Sequence, residues 1–216
     1  MNKPMIRLMA GFRRFREKYF DPNDPESSIY QKLASSGQTP KTLLIGCSDS
    51  RVDPAILTGA SPGELFVVRN VANLIPPCEP SAIGFHGTSS AIEFAVVSLR
   101  VENIIILGHR QCGGIRALMQ RGGTQEQSFV GQWMNIAEKA RQKVLAENPG
   151  ADEDTLWRQA EMESLKVSLE NLKTFPFVKE AIKTRQLNVI AVYFDLEQGQ
   201  LMELDEGLQK FRMLEL

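Results

Sequence analysis

Two short apolar runs, each closed by a glycine, constrain the fold of this chain more than any other feature. Residues 42–46 read TLLIG and residues 103–108 read NIIILG. Continuous apolar runs, unlike alternating ones, are typical of strands that are buried on both faces of a parallel sheet. The pattern therefore predicts an α/β fold with a mostly parallel central sheet of four to five strands, flanked by helices.

Side chains that bind metals follow directly after both runs. Cys47 ends the first run, and His109 and Cys112 follow the second. Ligands bind beyond the carboxyl ends of the strands in open α/β sheets, so neighbouring strands would bring these three side chains around one ion. Two thiolates and an imidazole suit Zn²⁺, and catalytic zinc sites combine three protein ligands with an open fourth position.

An acidic and a basic residue lie beside the first of these cysteines. Asp49 could fill the fourth position of the metal, but Arg51 could hold its carboxylate away through two parallel hydrogen bonds. Taken alone, a cysteine in a core strand is more often a small buried hydrophobic residue than a ligand. The combination of both strand ends with the Asp-Arg pair favours a metal site.

The order Cys-x-Asp-x-Arg followed by His-x-x-Cys resembles the β-class carbonic anhydrases. The resemblance continues through residues 62–73, 90–96 and 108–114 and covers most of the chain. It implies reversible hydration of CO2 to bicarbonate and a proton by zinc-bound hydroxide, in a single α/β domain over residues 1–216. Residues 1–37 would form N-terminal helices that pack on a partner subunit, and residues 38–216 the zinc-binding core.

The resemblance also implies roles for individual side chains. The zinc ligands would be Cys47, His109 and Cys112, with Asp49 and Arg51 as the catalytic dyad that orients the hydroxide.

For the substrate pocket, the resemblance points to the plant-like subgroup of the family. Gln38 matches a glutamine that donates a hydrogen bond to the substrate, usually from the partner subunit, and the alternative for it is a solvated loop residue. Phe66 and Val71 match the apolar wall. Phe94 replaces the tyrosine that is usual there, and the backbone N–H of Gly113 would steady a developing oxyanion.

Two alternatives to this function stay open. Some relatives with this fold hydrolyse carbon disulfide or carbonyl sulfide, which are linear and apolar like CO2. In a different class, the zinc would only hold two strands together in a protein interaction module, and its coordination shell would then be closed.

The resemblance implies a small-molecule substrate, CO2 or bicarbonate, and composition gives no reason to expect nucleic acid or a membrane as partner. The net charge is −1 over 216 residues, and no segment reaches the length of a membrane span. Three cysteines, two of them assigned to the metal, and a start without an apolar leader favour the cytoplasm. The apolar residues of the helix predicted over 8–19 need a cover, which favours a homodimer or a higher even homo-oligomer.

The remaining periodicity predicts the other elements. A second helix is expected from Pro25 to about Ser35, and a short helix after Asp53. Further helices are expected at 83–99, 113–120, 128–147, 153–173 and 176–184. Strands are expected at 64–68, 188–195 and 200–204 in addition to the two apolar runs.

Overall fold

The computed structural model describes residues 2–20, 23, 28–79, 86–121 and 128–214. Within these ranges the strands form one six-stranded sheet in the order β2-β1-β3-β4-β5-β6. The strands are β1 (Thr42–Cys47), β2 (Leu65–Asn70), β3 (Asn103–His109), β4 (Asn188–Asp195), β5 (Gln200–Asp205) and β6 (Lys210–Met213). Strands β1 to β4 are parallel, and β5 and β6 continue the sheet in antiparallel hairpins.

The two apolar runs form β1 and β3, which pair directly with each other in the interior of the sheet. Their side chains are buried alternately on the two faces, with Ile45 and Ile106 in one cluster and Leu44 and Leu107 in another. The predicted mostly parallel sheet is therefore confirmed. It has one strand more than expected, because β6 is short and mostly exposed and carries little apolar signal.

Helices cover both faces of the sheet and agree with the predicted pattern. They are α3 (Pro54–Thr58), α4 (Gly87–Glu93), α5 (Gly113–Arg121), α6 (Phe129–Met134), α7 (Glu138–Glu147), α8 (Glu153–Leu172) and α9 (Pro176–Arg185). The helix predicted over 83–99 begins at Gly87 among the described residues and ends in a π-helical segment, Phe94–Ser98. A 3₁₀ segment, Asn135–Ala137, joins α6 to α7 within the helix predicted over 128–147.

Helix α8 packs against β3 and so lies next to the strand that ends in the candidate ligand His109. It contacts β3 and β4 on one side and α5 and α7 on another. Eight of its twenty residues are buried, including the polar side chains of Glu161, Ser164 and Ser168. A helix that buries polar groups on its core face must supply them with hydrogen-bond partners, which draws attention to what those groups contact.

The N-terminal helices α1 (Lys3–Phe20) and α2 (Ser28–Ser36) pack on each other through an aromatic cluster. Within it, the ring of Phe15 lies 5.2 Å from that of Tyr30. None of the residues of α1 is buried. The start predicted for α2 near Pro25 lies outside the described residues. Over the part of the chain that is described, no helix is long and apolar enough to cross a membrane.

Candidate metal centre

Three ligand atoms of the type that binds zinc converge where β1 and β3 end. The Sγ atoms of Cys47 and Cys112 are 4.0 Å apart. One ligand atom from each of Cys47, His109 and Cys112 lies within 4.8 Å of the others, and all three residues are buried. The sequence prediction that these side chains meet at one point is confirmed. Within the described ranges no other group of histidine, cysteine or acidic side chains meets this criterion.

The histidine is prepared to coordinate a metal. Its Nδ1–H donates a hydrogen bond to the carbonyl oxygen of Arg110 at 2.9 Å, which leaves the lone pair on Nε2. Nε2 is buried and finds no hydrogen-bond partner among the described residues. A buried polar atom without a partner is costly, and a metal ion would satisfy it. The donor set of two sulfurs and one imidazole nitrogen therefore fits Zn²⁺.

The two thiols influence each other's ionisation. The hydrogen bond from Cys112 lowers the pKa of the Cys47 thiol well below its ordinary value, against the opposing effect of burial. The same contact, together with burial, raises the pKa of Cys112 well above its ordinary value. The pair thus gives up its first proton easily and its second only with difficulty. A divalent cation between the sulfurs would stabilise the second negative charge.

Asp49 is held by Arg51 in a bidentate ion pair. Its Oδ1 accepts from Nε of Arg51 at 2.9 Å, and its Oδ2 accepts from Nη2 at 2.7 Å. The same Nη2 donates to the carbonyl oxygen of Gln111 at 2.9 Å, which ties the guanidinium to the turn between His109 and Cys112. The hydrogen bonds from Arg51 hold the pKa of Asp49 well below its usual range, so this carboxylate is ionised at neutral pH.

The residues expected to line a substrate pocket lie in different surroundings. The rings of Phe66 and Phe94 are 5.8 Å apart, and Phe94 remains 44% exposed. Val71 follows β2 and is 38% exposed. Gly113 is the first residue of α5, directly after Cys112. Gln38 is exposed in the segment before β1, whereas Cys47 ends that strand.

Sequence reasoning missed a group of buried polar residues behind the ligands. Glu161 accepts from the backbone N–H of Cys112 at 2.8 Å and from the hydroxyl of Tyr193 at 2.7 Å. Burial raises the pKa of Glu161 to about 7, although these hydrogen bonds work in the opposite direction. Glu161 lies four residues before Leu165, on the apolar face of α8. That position was the available signal, since acidic residues are rarely buried without a partner.

Two arginines belong to the same surroundings. Arg69 donates to the carbonyl oxygens of Cys47, at 2.9 Å, and of Asp49, at 2.7 Å. The side chain of Arg110 is 2% exposed and is bound by the carboxylate of Asp154. These arginines brace the segments that follow β1 and β3.

Comparison with known proteins agrees with this geometry. A family model described as carbonic anhydrase matches residues 42–201. A curated carbonic anhydrase of Synechococcus elongatus is 34% identical over 201 residues, which are 93% of this chain and 71% of the relative.

Solved structures give the same result. The β-carbonic anhydrase CcaA superposes with a TM-score of 0.90 at 32% identity, over 100% of this chain and 94% of the other. A tetrameric β-carbonic anhydrase of the ascomycete Sordaria macrospora reaches 0.82 at 28% identity, covering 94% of this chain and 98% of its own. The β-carbonic anhydrase CafA of Aspergillus fumigatus reaches 0.82 at 30%, with coverages of 94% and 91%. The chain therefore belongs to the β-class of the carbonic anhydrase family.

Proposed function

We propose that this enzyme hydrates CO2 reversibly to bicarbonate and a proton, with Zn²⁺ held by Cys47, His109 and Cys112. The observation that carries the proposal is the buried cluster of three suitable donors beside a carboxylate that is bound by an arginine. When bound, zinc supplies a Lewis acid that makes water acidic enough to yield a nucleophile near neutral pH. A structural zinc site would need a fourth strong ligand, and the cluster offers three.

Asp49 and Arg51 form the catalytic dyad in this proposal. Oδ1 of Asp49 accepts from both Nε and the backbone N–H of Arg51, whereas Oδ2 accepts only from Nη2 and keeps a second lone pair. Asp49 can therefore accept a hydrogen bond from the nucleophile and direct its attacking lone pair toward the carbon of CO2. Because the carboxylate stays ionised at low pH, it remains an acceptor throughout the range in which the nucleophile forms.

The substrate is small and uncharged, so its pocket needs an apolar wall and few polar groups. In the proposal Phe66, Val71 and Phe94 form the wall, and the backbone N–H of Gly113 stabilises charge that develops on the substrate oxygen. Gln38 donates a hydrogen bond across a subunit boundary. Its exposure in the segment before β1 supports a role in a neighbouring subunit's site better than one in its own.

Assembly into a homodimer or a higher even homo-oligomer belongs to the same proposal. Exposed apolar side chains lie along α1, namely Met5, Ile6, Leu8, Met9, Phe12 and Phe20. Such a surface is costly in water and is typical of a helix that packs on a partner. Residues 1–37 would thus serve assembly and residues 38–216 catalysis, and the Sordaria macrospora relatives are tetrameric.

Stopped-flow CO2 hydration by the zinc-loaded protein tests the function. We expect turnover to rise as the pH passes about 7. In Asp49→Asn we expect turnover to fall by roughly 100-fold or more while the zinc content stays unchanged. Glu102→Gln is a matched control, because Glu102 forms an exposed ion pair with Lys41 away from the ligands.

The outcomes separate the alternatives. Stoichiometric zinc without CO2 turnover at any pH would contradict the proposed reaction, and turnover of carbon disulfide or carbonyl sulfide would then identify the sulfur-substrate activity. Stoichiometric zinc with neither activity would indicate the interaction module. Full activity in Asp49→Asn would contradict only the proposed role of the dyad and not the proposed reaction.

A further inference from the structure

Two of the three proposed zinc ligands, the last residue of β3 and the residue before α5, are joined by one short turn. Residues 109–112, called the ligand turn below, place only Arg110 and Gln111 between His109 and Cys112. Gln111 adopts a left-handed backbone conformation with φ of 60°, which is uncommon for a residue other than glycine. Such a conformation persists only when the surroundings hold it in place. The position of the Cys112 sulfur therefore depends on what binds the backbone of this turn.

Besides α5, which begins directly after it, three segments bind backbone groups of the ligand turn: β4, the segment after β1, and α8. The N–H of Arg110 donates to the carbonyl of Phe194 in β4 at 2.9 Å. Arg51 binds the carbonyl of Gln111, and the indole Nε1 of Trp157 donates to the carbonyl of Cys112 at 3.0 Å. The N–H of Cys112 donates to Oε1 of Glu161, which also lies on α8.

Among these partners, Glu161 is the one whose burial costs the most free energy. Its side chain is 1% exposed, and moving a carboxylate out of water is expensive unless its oxygens are bound. Oε1 is bound by Cys112 and Oε2 by the hydroxyl of Tyr193 in β4, and Nη1 of Arg110 lies 3.8 Å from Oε2. One carboxylate thus joins α8, β4 and the ligand turn. An aliphatic side chain at this position would suit the apolar face of α8 but would leave the Cys112 N–H without its acceptor.

We infer that Glu161 is a positioning residue for the metal ligand Cys112, and that Tyr193 holds the Glu161 carboxylate in the orientation this requires. The inference rests on the proposed function, since it takes Cys112 as a zinc ligand. Residues that bind and orient a metal ligand change metal affinity about 10–100-fold when they are replaced. Glu161 acts through Cys112 and needs no contact with the substrate.

The test compares Glu161→Leu, Glu161→Gln and Glu163→Leu in the full-length protein. Zinc affinity is measured by competition with a chelator, and the sulfur-to-metal absorption bands are recorded after loading with Co²⁺. Glu163 is the matched control, because its largely buried carboxylate lies two residues further along α8 and binds Lys143 and Lys166 instead of the ligand turn.

We expect Glu161→Leu to lose about 10–100-fold in zinc affinity and to shift the Co²⁺ bands. Glu161→Gln keeps an oxygen acceptor for the Cys112 N–H and should stay within roughly threefold of the wild type. Glu163→Leu should lose stability while its zinc affinity and Co²⁺ spectrum remain those of the wild type. Unchanged affinity and spectrum in a folded Glu161→Leu would overturn the inference, whatever its stability.

A second variant keeps the test decisive if Glu161→Leu does not fold. Tyr193→Phe removes only the hydroxyl that binds Oε2, and we expect it to weaken zinc binding and shift the Co²⁺ bands in the same direction. Wild-type affinity and an unchanged spectrum in Tyr193→Phe would then overturn the inference. Failure of the proposed function is distinguishable, because in that case the wild-type protein itself would bind no stoichiometric zinc or would not hydrate CO2.

Discussion

Gly108 lies directly before the proposed ligand His109, and its missing side chain lets helix α8 approach β3. A Cβ atom at this position would lie 2.8 Å from Cδ1 and 2.9 Å from Cγ of Leu165. Leu165 is fully buried in the main core cluster and has little room to move away. Close packing at this residue thus fixes the distance between α8, which carries Glu161, and the strand that carries His109.

We predict that Gly108→Ala lowers the free energy of unfolding by about 1–3 kcal/mol, because the added methyl group overpacks the contact with Leu165. Urea unfolding of the zinc-loaded protein at pH 7 measures this. Gly87→Ala is the control, since a Cβ at Gly87, the first residue of α4, meets nothing within 4 Å. Equal stabilities of the two variants would show that the contact between Gly108 and Leu165 is not tight.

At the scale of elements, a carboxylate of α8 forms one ion pair with α7 and another within its own helix. Glu163 of α8 binds Lys143 of α7 at 2.7 Å and Lys166 of its own helix at 3.0 Å. Burial alone raises the pKa of this carboxyl, but the hydrogen bonds from the two lysines outweigh that effect and hold the pKa of Glu163 below its ordinary value. A folded-state pKa below the unfolded one means that the ionised form stabilises the fold.

The stabilisation by Glu163 should therefore depend on pH. Above the unfolded-state pKa of about 4.3 it is fully present, and it disappears as the pH falls through the lower folded-state value. We expect Glu163→Gln to cost about 1–3 kcal/mol in the free energy of unfolding at pH 7, and the difference from the wild type to shrink below about pH 4.3. Urea titrations across this range measure it.

Glu170→Gln provides the comparison for that titration, because the ion pair of Glu170 with Lys139 is largely exposed on both sides. Exposed pairs contribute little to stability, so this variant should follow the wild type at every pH. A difference for Glu163→Gln that stays constant down to the lowest pH would contradict the assigned charge state.

An element could be predicted from the sequence when its apolar pattern is typical of one position in a fold, such as a strand in the centre of a sheet. Features that depend on contacts between distant parts of the chain could not be predicted. The runs that form β1 and β3 are buried on both faces, so their residues alone indicate central strands, and Cys47 and His109 end them. Strand β6 pairs at an edge and carries two charged residues in four. The role of Glu161 could not be predicted, because its partners, Cys112 and Tyr193, are far away in sequence and because charged residues usually lie on the surface.

At the scale of the whole molecule, α1 exposes many apolar side chains that no part of the described chain covers. Phe12 is 60% exposed and Leu8 is 66% exposed, and α1 has no buried residue. Among the described residues of a single chain, α1 is contacted chiefly by α2, and its apolar surface stays exposed. The proposed assembly explains why such a helix persists.

We predict that the double substitution Met9→Glu and Phe12→Glu shifts the protein toward the monomer. Light scattering coupled to gel filtration should give at least twice the chain mass of 24.2 kDa for the wild type, and a value closer to 24.2 kDa for the variant. Charges on this surface would have to be desolvated on association, which weakens it. Leu208→Glu, at an exposed leucine between β5 and β6, should leave the mass unchanged. An unchanged mass for the double variant would place the interface elsewhere.

The central position of β1 and β3 has a consequence for the exchange kinetics of the metal. Each of these strands is bordered by another strand on both sides, whereas β2 and β6 form the two edges of the sheet. Local opening of a protein starts at edges and termini and reaches the centre of a sheet last. The edges can therefore open and close many times without separating Cys47 from His109, and release of a bound ion through loss of the sheet would be about as slow as unfolding of the core.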